Sequence, residues 1–284
     1  MFVPRRLVEE KLRQLLVEDI GQGDVTAAAV IPANLTVKAE VIAKEEGVVA
    51  GIEEATFLAE YLGLTVKAKV ADGEKIINKQ VLLQISGDAQ TILSVERTML
   101  NLLSRMSGIA TKTRLLTEKL EVAKVKAKIA ATRKSAPGLL YFDKKAVVIG
   151  GGDPHRLHLD DMVLIKDNHL VIIGSVEEAV KQAKAKVSFS KKIEIEVTTL
   201  EDALKAAHVG ADIVMLDNFS PRQAKEAGEA LEKAGFGDVL LEVSGGITGE
   251  NLLKFANAKV DIISMGELTH SVKALDMSLE IVKN

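Results

Sequence analysis

Cysteine is absent from all 284 residues. Disulfides, thiolate nucleophiles and Cys-ligated metal sites are therefore excluded. Tryptophan is missing too, and aromatics make up only 3% of the chain, so platforms for stacking nucleic-acid bases are not expected. No run reaches the roughly 18 apolar residues of a membrane-spanning helix. The opening segment, MFVPRRLVEEKLRQLL, is charged throughout and lacks the apolar core of a signal peptide. A cytoplasmic location is the expectation. An excess of charge is also lacking: 37 Lys and Arg against 40 Asp and Glu leave a net charge of −3. A nucleic-acid protein would show a net basic domain. The length suits one large or two modest domains.

Against that balanced background one segment stands out. Between Thr132 and His169 the chain reads TRKSAPGLLYFDKKAVVIGGGDPHRLHLDDMVLIKDNH. Arg133, Lys134, His155, Arg156, Lys166 and His169 gather there around the triple glycine Gly150-Gly151-Gly152, and Asp167 and Asn168 add acceptor oxygens. Arg offers a planar fork that matches carboxylate or phosphate, and Lys offers a point charge. The cluster suits a pocket for a polyanionic small molecule; the bland alternative is a solvated surface rich in Lys and Arg.

Taken in order, Pro4 to Glu18 reads as an amphipathic helix. Leu35–Ala43, Val66–Val70 and Val81–Ser86 alternate like strands, with a helix over Gly51–Leu62 between them. This start has no βαβ repeat and predicts an α+β sandwich domain. Ala89–Met106 is a helix with an apolar stripe at Val95, Met99, Leu102, Leu103 and Met106, and Ile109–Val122 is predicted as another. Arg97 lies off the stripe, where a solvated charge is the ordinary reading. From Lys126 onward the pattern changes. KAKIAAT, MVLIKDN, KIEIEV, DIVMLDN, VLLEVSG and DIISMGE alternate with helical stretches at Val176–Lys186, Leu200–His208, Pro221–Ala234 and Gly249–Ala256. Such alternation predicts parallel β/α units and a barrel or part of one. A doubly wound open sheet is the structural alternative, but no GxGxxG follows a strand.

Each of these strands starts apolar and ends polar: Arg133-Lys134, then Lys166 to His169, Glu194 and Glu196, Asp217-Asn218, Ser244-Gly245-Gly246 and Gly266-Glu267. Barrel enzymes assemble their sites at that rim. Alternation in KIEIEV sets Glu194 and Glu196 opposite Ile193, Ile195 and Val197, hence toward the barrel interior. Buried carboxylates need partners, and Lys166 is within reach. For Glu194 a structural ion pair is as good a reading as a functional one, whereas Glu196 is nearer the rim. The glycines of SGG and MG let backbone N–H groups approach a phosphate; two ordinary tight turns are the alternative. A phosphate cradle, a cationic crown and carboxylates suited to ribose hydroxyls or Mg²⁺ fit a phosphorylated sugar with a second anion.

TRKSAPG, GGGDPHRLHLDD and LIKDNH closely resemble the quinolinate phosphoribosyltransferase family. The resemblance continues through EDIGQGDVT, ERTMLNLLSRMSGIAT, IEIEV, LDNF, EVSGGIT and MGELTHS, nearly the whole chain in order. It implies an incomplete, open α/β barrel with an N-terminal α+β sandwich domain. The implied division is 1–108 for the sandwich, 109–269 for the barrel and 270–284 for a C-terminal helix returning to the first domain. It implies a homodimer with a shared site, assembled further to a hexamer in some members. Quinolinate binding falls to Arg133, His155, Arg156 and Lys166, with Arg97 reaching in from a partner subunit and so replacing the solvated reading. Phosphoribosyl pyrophosphate binding falls to Lys134, Asn168, His169, Glu196, Asp217, Ser244, Gly245, Gly246 and Gly266. Lys134, Glu196 and Asp217 are the implied catalytic residues. Mg²⁺ is implied as cofactor, held mainly through substrate with Glu196 and Asp217 as candidate ligands. In two places the chain departs from the family pattern: Leu140 and Val148 stand where PGLR and AVR carry arginines.

The reaction so implied is decarboxylating phosphoribosyl transfer from phosphoribosyl pyrophosphate to quinolinate, in NAD biosynthesis. Relatives on the same barrel, a molybdenum-transport-associated branch and the nicotinate phosphoribosyltransferases, are the alternatives within the resemblance, and the intact IKDNH block favours the quinolinate enzyme. Two readings from other chemistry stand beside it: a Schiff-base aldolase with Lys166 as nucleophile, and an anion-binding module without turnover.

Overall fold

A computed structural model of the chain describes residues 4–282. The chain divides into two compact units. The first runs up to Arg114 and takes in Val148–Gly150 and the segment from Val272 onward; the second comprises Leu115–Val147 and Gly151–Ser271.

The first unit contains helix α1 (Arg5–Ile20), α2 (Val25–Val30), strand β1 (Thr36–Ala43), the short β2 (Gly47–Val48), α3 (Ile52–Tyr61), β3 (Thr65–Ala68), the short β4 (Lys75–Ile76) and β5 (Val81–Asp88). Helix α4 (Ala89–Val122) follows and continues into the second unit. The strands form an antiparallel sheet whose order ends on a segment from the far end of the chain: Met277–Val282 pairs with β1, which pairs with β5 and then β3. Alternation explains the sheet. Ala39, Val41 and Ala43 of β1 are buried while their neighbours are not, and they pack in a core with Leu12, Leu58, Leu83, Ile85 and Ile92.

Two expectations are corrected here. The helix expected within 270–284 is a strand, because the alternation of MSLEIV fits the open edge of β1, where Met277 meets Ala43 and Ile281 meets Ala39. And the helices expected over 89–106 and 109–122 are one helix of 34 residues. Gly108 does not break it; a Cβ there would lie 2.2 Å from the Lys273 carbonyl, so the glycine serves close backbone packing.

The second unit is the barrel. Its strands are β6 (Lys128–Ala131), β7 (Val163–Ile165), β8 (Ile193–Val197), β9 (Ile213–Asp217), β10 (Leu240–Ser244) and β11 (Ile262–Met265), with Met277–Val282 of the first unit as β12. Helices α5 (Leu140–Ile149), α6 (Asp167–Ile173), α7 (Val176–Lys186), α8 (Leu200–His208), α9 (Pro221–Lys233), a 3₁₀ turn at Leu252–Phe255 and α10 (Glu267–His270) lie between them. All pairings are parallel, in the order β6-β11-β10-β9-β8-β7. Successive strands are neighbours except β6 and β7, which end the sheet on opposite sides. The barrel is therefore open between them, and the sequence bridging the opening is the cationic, glycine-rich segment. It fills the gap in part: Asp153 donates its N–H to Ile129 at 2.8 Å and accepts from Ala131 at 3.0 Å, extending β6 by one isolated bridge.

Helix starts follow local chemistry. Ser175, Thr199 and Ser220 cap α7, α8 and α9, each side chain accepting the N–H three residues on. In α9 Gln223 returns a bond to the Ser220 N–H, completing a capping box. The helix expected over 249–256 shrinks to the 3₁₀ turn at Leu252–Phe255.

Candidate active site

Strand register fixes what faces the barrel interior. Glu196, Met215 and Glu242 sit side by side across β8, β9 and β10. One layer nearer the C-terminal ends, Asp217 stands beside Ser244. In parallel strands, residues in register share a face, so these groups converge on one cavity of about 590 Å³. Its walls include Arg133, Lys134, His155, Arg156, Lys166, Glu196, Asp217, Ser244, Gly245 and Gly246, ten of the residues singled out from sequence.

The other four lie elsewhere. Arg97 is on α4 in the first unit, its side chain 65% exposed and 3.9 Å from Glu96. Asn168 is not among the cavity walls. His169 lines a neighbouring apolar hollow instead, and its Nδ1 accepts the Lys166 backbone N–H at 2.9 Å, so the ring is spent on starting α6. Gly266 lies behind the wall; a Cβ there would be 2.9 Å from the His270 ring and 3.4 Å from Lys134 Cδ.

The floor holds a buried polar cluster. His155 Nε2 lies 3.1 Å from Glu242 and 3.3 Å from Glu194. Both carboxylates are fully buried, and Ser264 Oγ donates to the other Glu242 oxygen at 2.6 Å. Burial works against charge on His155, but hydrogen bonds to Glu194 and Glu242 outweigh it and push the group up to about 10. The Arg156 backbone N–H, meanwhile, occupies Nδ1 at 2.8 Å, which opposes a second ring proton. The proton shared with the carboxylates is the one on Nε2. Burial raises Glu194, against the lowering pull of the His155 contact.

Nearer the mouth, Lys166 lies 3.5 Å from Glu196. Glu196 is also raised, first by burial and further by Asp217 and Asp167, with Lys166 opposing. A carboxylate pair crowded in this way favours an added cation. Oxygen-only donors at the mouth suit Mg²⁺ better than the histidine-bearing floor cluster, whose three ligand atoms also lie within 4.8 Å of one another. Arg156 is nearly buried and lies close enough to Arg133 for the two charges to oppose each other. Two guanidiniums held against their mutual repulsion make a strong anion trap.

The loop after β10 is built to approach a ligand closely. Gly245 and Gly246 have φ of 88° and 61°, and a Cβ on Gly245 would fall 2.3 Å from the Asn218 side-chain oxygen. Asn251 holds this loop, donating to the Gly246 carbonyl at 2.9 Å and accepting from Thr248 at 2.8 Å. Lys134 is pinned through its backbone: Thr269 Oγ1 donates to its carbonyl at 2.7 Å.

Sequence reasoning missed Glu242, Ser264 and Thr132 as parts of the cavity wall, and placed Asn218 at the rim without giving it a role. Glu242 was within reach, because in LLEVSGG it alternates with Ser244 as Glu194 does with Glu196.

Known proteins resemble this chain over most of its length. Residues 24–107 match the quinolinate phosphoribosyl transferase N-terminal domain, and residues 109–280 match its C-terminal domain. The chain is 45% identical over 271 residues to a probable nicotinate-nucleotide pyrophosphorylase (carboxylating) of Methanothermobacter thermautotrophicus, covering 95% of this chain and 97% of that one. It is 38% identical to the human nicotinate-nucleotide pyrophosphorylase (carboxylating), with 84% and 80% covered. A solved structure of the Francisella tularensis nicotinate-nucleotide pyrophosphorylase superposes with a TM-score of 0.89 at 36% identity, over 99% and 98% of the two chains. The chain belongs to the quinolinate phosphoribosyl transferase family.

Proposed function

We propose that the cavity joins quinolinate to phosphoribosyl pyrophosphate, giving nicotinate mononucleotide, pyrophosphate and CO₂. The observation that carries this reading is that one wall holds two kinds of group. Arg133 and Arg156, close enough to oppose each other, are cationic; Asp217 stands beside Ser244 where the Gly245-Gly246 loop begins, with Glu196 and its partner Lys166, 3.5 Å away, on the same wall. A pyridine dicarboxylate is complementary to the first, and a ribose bearing a 5′-phosphate to the second. The relatives' name, nicotinate-nucleotide pyrophosphorylase (carboxylating), describes the same reaction in reverse.

In the forward direction the C1–O bond to pyrophosphate breaks with its electron pair leaving on oxygen, and the pyridine nitrogen attacks C1. Positive charge builds at C1, and Glu196 and Asp217 are the groups facing it, worth most where water is excluded. The C2 carboxylate then leaves as CO₂, its bonding pair stays on C2 beside the cationic ring nitrogen, and a proton from Lys134 or water takes that pair. Arg133 and Arg156 hold the carboxylates and fix the ring for attack. Glu196 and Asp217 are the residues that would hold Mg²⁺ together with substrate, and the ion would supply charge neutralisation for the leaving pyrophosphate.

Arg97 supplies the quinolinate site of a partner subunit in a homodimer; its exposed side chain supports this role, since an interior structural ion pair would be buried. Mixing Arg97→Ala and Arg133→Ala subunits, each inactive alone, should restore activity in the hybrids. No recovery would show that each subunit works with its own Arg97. The reaction itself is tested by mass spectrometry of products formed from quinolinate, phosphoribosyl pyrophosphate and Mg²⁺. Nicotinate mononucleotide is the expected product, and unconsumed quinolinate would overturn the reading.

A further inference from the structure

Lys144, on α5, is outside the cavity wall, and its side chain is fully buried. A buried ammonium is costly unless something near it needs the charge. Its Nζ donates to the carbonyl of Pro154, the residue just before His155. The same turn is held from other sides: Asp153 is bonded to β6, and its carboxylate accepts the His155 N–H at 2.7 Å. The grip is needed because His155 has a φ of 53°, a conformation that side-chain-bearing residues adopt only when held there.

A neutral donor would satisfy the Pro154 carbonyl, so the charge needs its own explanation. The charged groups facing Lys144 are Asp153 of the turn, Arg133 after β6, Arg156 beyond the turn and Asp143 on its own helix. The two aspartates favour the ammonium and the two arginines oppose it. We propose that Lys144 is a positioning residue for the dianion pocket, fixing the Pro154–His155 turn and adding a third positive charge behind Arg133 and Arg156. In the free protein that third charge is resisted; with a dicarboxylate between the arginines it is favoured. This rests on the quinolinate reading of the cavity.

Burial above all, with Arg133 and Arg156 adding to it, lowers Lys144 to about 8, against Asp153 and Asp143. Around that pH the free amine and the ammonium coexist. A bound dianion raises the group again, so binding takes up a proton at Lys144. At pH 6.5 the group is already charged and its uptake vanishes.

Calorimetric titration of quinolinate, in buffers of different ionisation enthalpy, reads this proton directly. The wild-type protein should take up about half a proton more at pH 8 than at pH 6.5. Lys144→Met and Lys144→Gln should lose that excess, and their Kd for quinolinate should rise about tenfold, the equivalent of one pKa unit of coupling. Lys144→Gln keeps a donor for Pro154, so loss in that variant isolates the charge from the turn contact. Equal uptake in wild type and variants would overturn the inference. If the variants do not fold, equal wild-type uptake at the two pH values overturns it alone. Absence of any quinolinate binding by the wild type would instead remove the substrate reading, and this inference with it.

Discussion

His155 Nε2 lies 3.1 Å from a carboxylate oxygen of Glu242, which is 87 residues later in the chain. That contact ties the segment bridging the barrel opening to the fourth of the successive strands that follow it. Both ring nitrogens of His155 are engaged, Nε2 by Glu242 and Glu194 and Nδ1 by the Arg156 N–H. The ring therefore holds the arginine's backbone in place from beneath. Replacing Glu242 with Ala takes an acceptor from His155 Nε2 and from Ser264 Oγ in the interior. Urea unfolding should show a loss of about 3–5 kcal/mol, the usual cost of removing one partner from a buried pair. A change below about 1 kcal/mol would mean the cluster is not a stabilising unit.

Arg133 and Arg156 should separate from the acidic wall in steady-state kinetics. Either change to Ala should raise KM for quinolinate about 10- to 100-fold, the size expected for losing a charge-assisted bond. KM for phosphoribosyl pyrophosphate should move much less. Near-unchanged kinetics for both variants would refute their placement.

Glu196 sets an acid limit. Its carboxyl is held above the ordinary value by burial, and Asp217 and Asp167 add to the effect. It must be ionised to face positive charge at C1, so kcat should fall as the pH drops through that raised value. The limb should therefore lie above the ordinary carboxylate range. Glu196→Gln should cost about 100-fold in kcat, on the scale of losing one electrostatic stabiliser, and should flatten this limb. A limb that persists unchanged in the variant assigns it to another group.

Gly245→Ala tests the phosphate loop. The added methyl would meet Asn218 at 2.3 Å on a backbone with φ of 88°, so the loop must shift. The expected outcome is weaker phosphoribosyl pyrophosphate binding by isothermal titration, with quinolinate binding retained. Equal loss of both would mean the loop supports the whole cavity.

Much of the barrel was legible because each strand shows an apolar start and a polar end. The α7 and α8 ranges match their expected spans to the residue, since caps and apolar periodicity agree there. The long α4 was not legible: Gly108 reads as a breaker until the Lys273 carbonyl packed against it is seen. The strand at Met277–Val282 needed knowledge of the open β1 edge, a partner more than 200 residues away. Likewise, KDNH suggested that Asn168 and His169 face the ligand. The bond from the Lys166 N–H turns the His169 ring elsewhere, a choice local sequence does not reveal. Glu194 resolved toward its structural reading because the β8 alternation buries it beneath Glu196, where His155 rather than Lys166 reaches it.

The central claim is that the cationic wall selects a dicarboxylate and that its second carboxylate is expelled. Pyrophosphate and CO₂ should be measured together, with phosphoribosyl pyrophosphate, Mg²⁺ and either quinolinate or nicotinate. Equal amounts of the two products from quinolinate, and neither from nicotinate, is the predicted result. Pyrophosphate from nicotinate without CO₂ would contradict the account and place the dicarboxylate assignment of Arg133 and Arg156 in error.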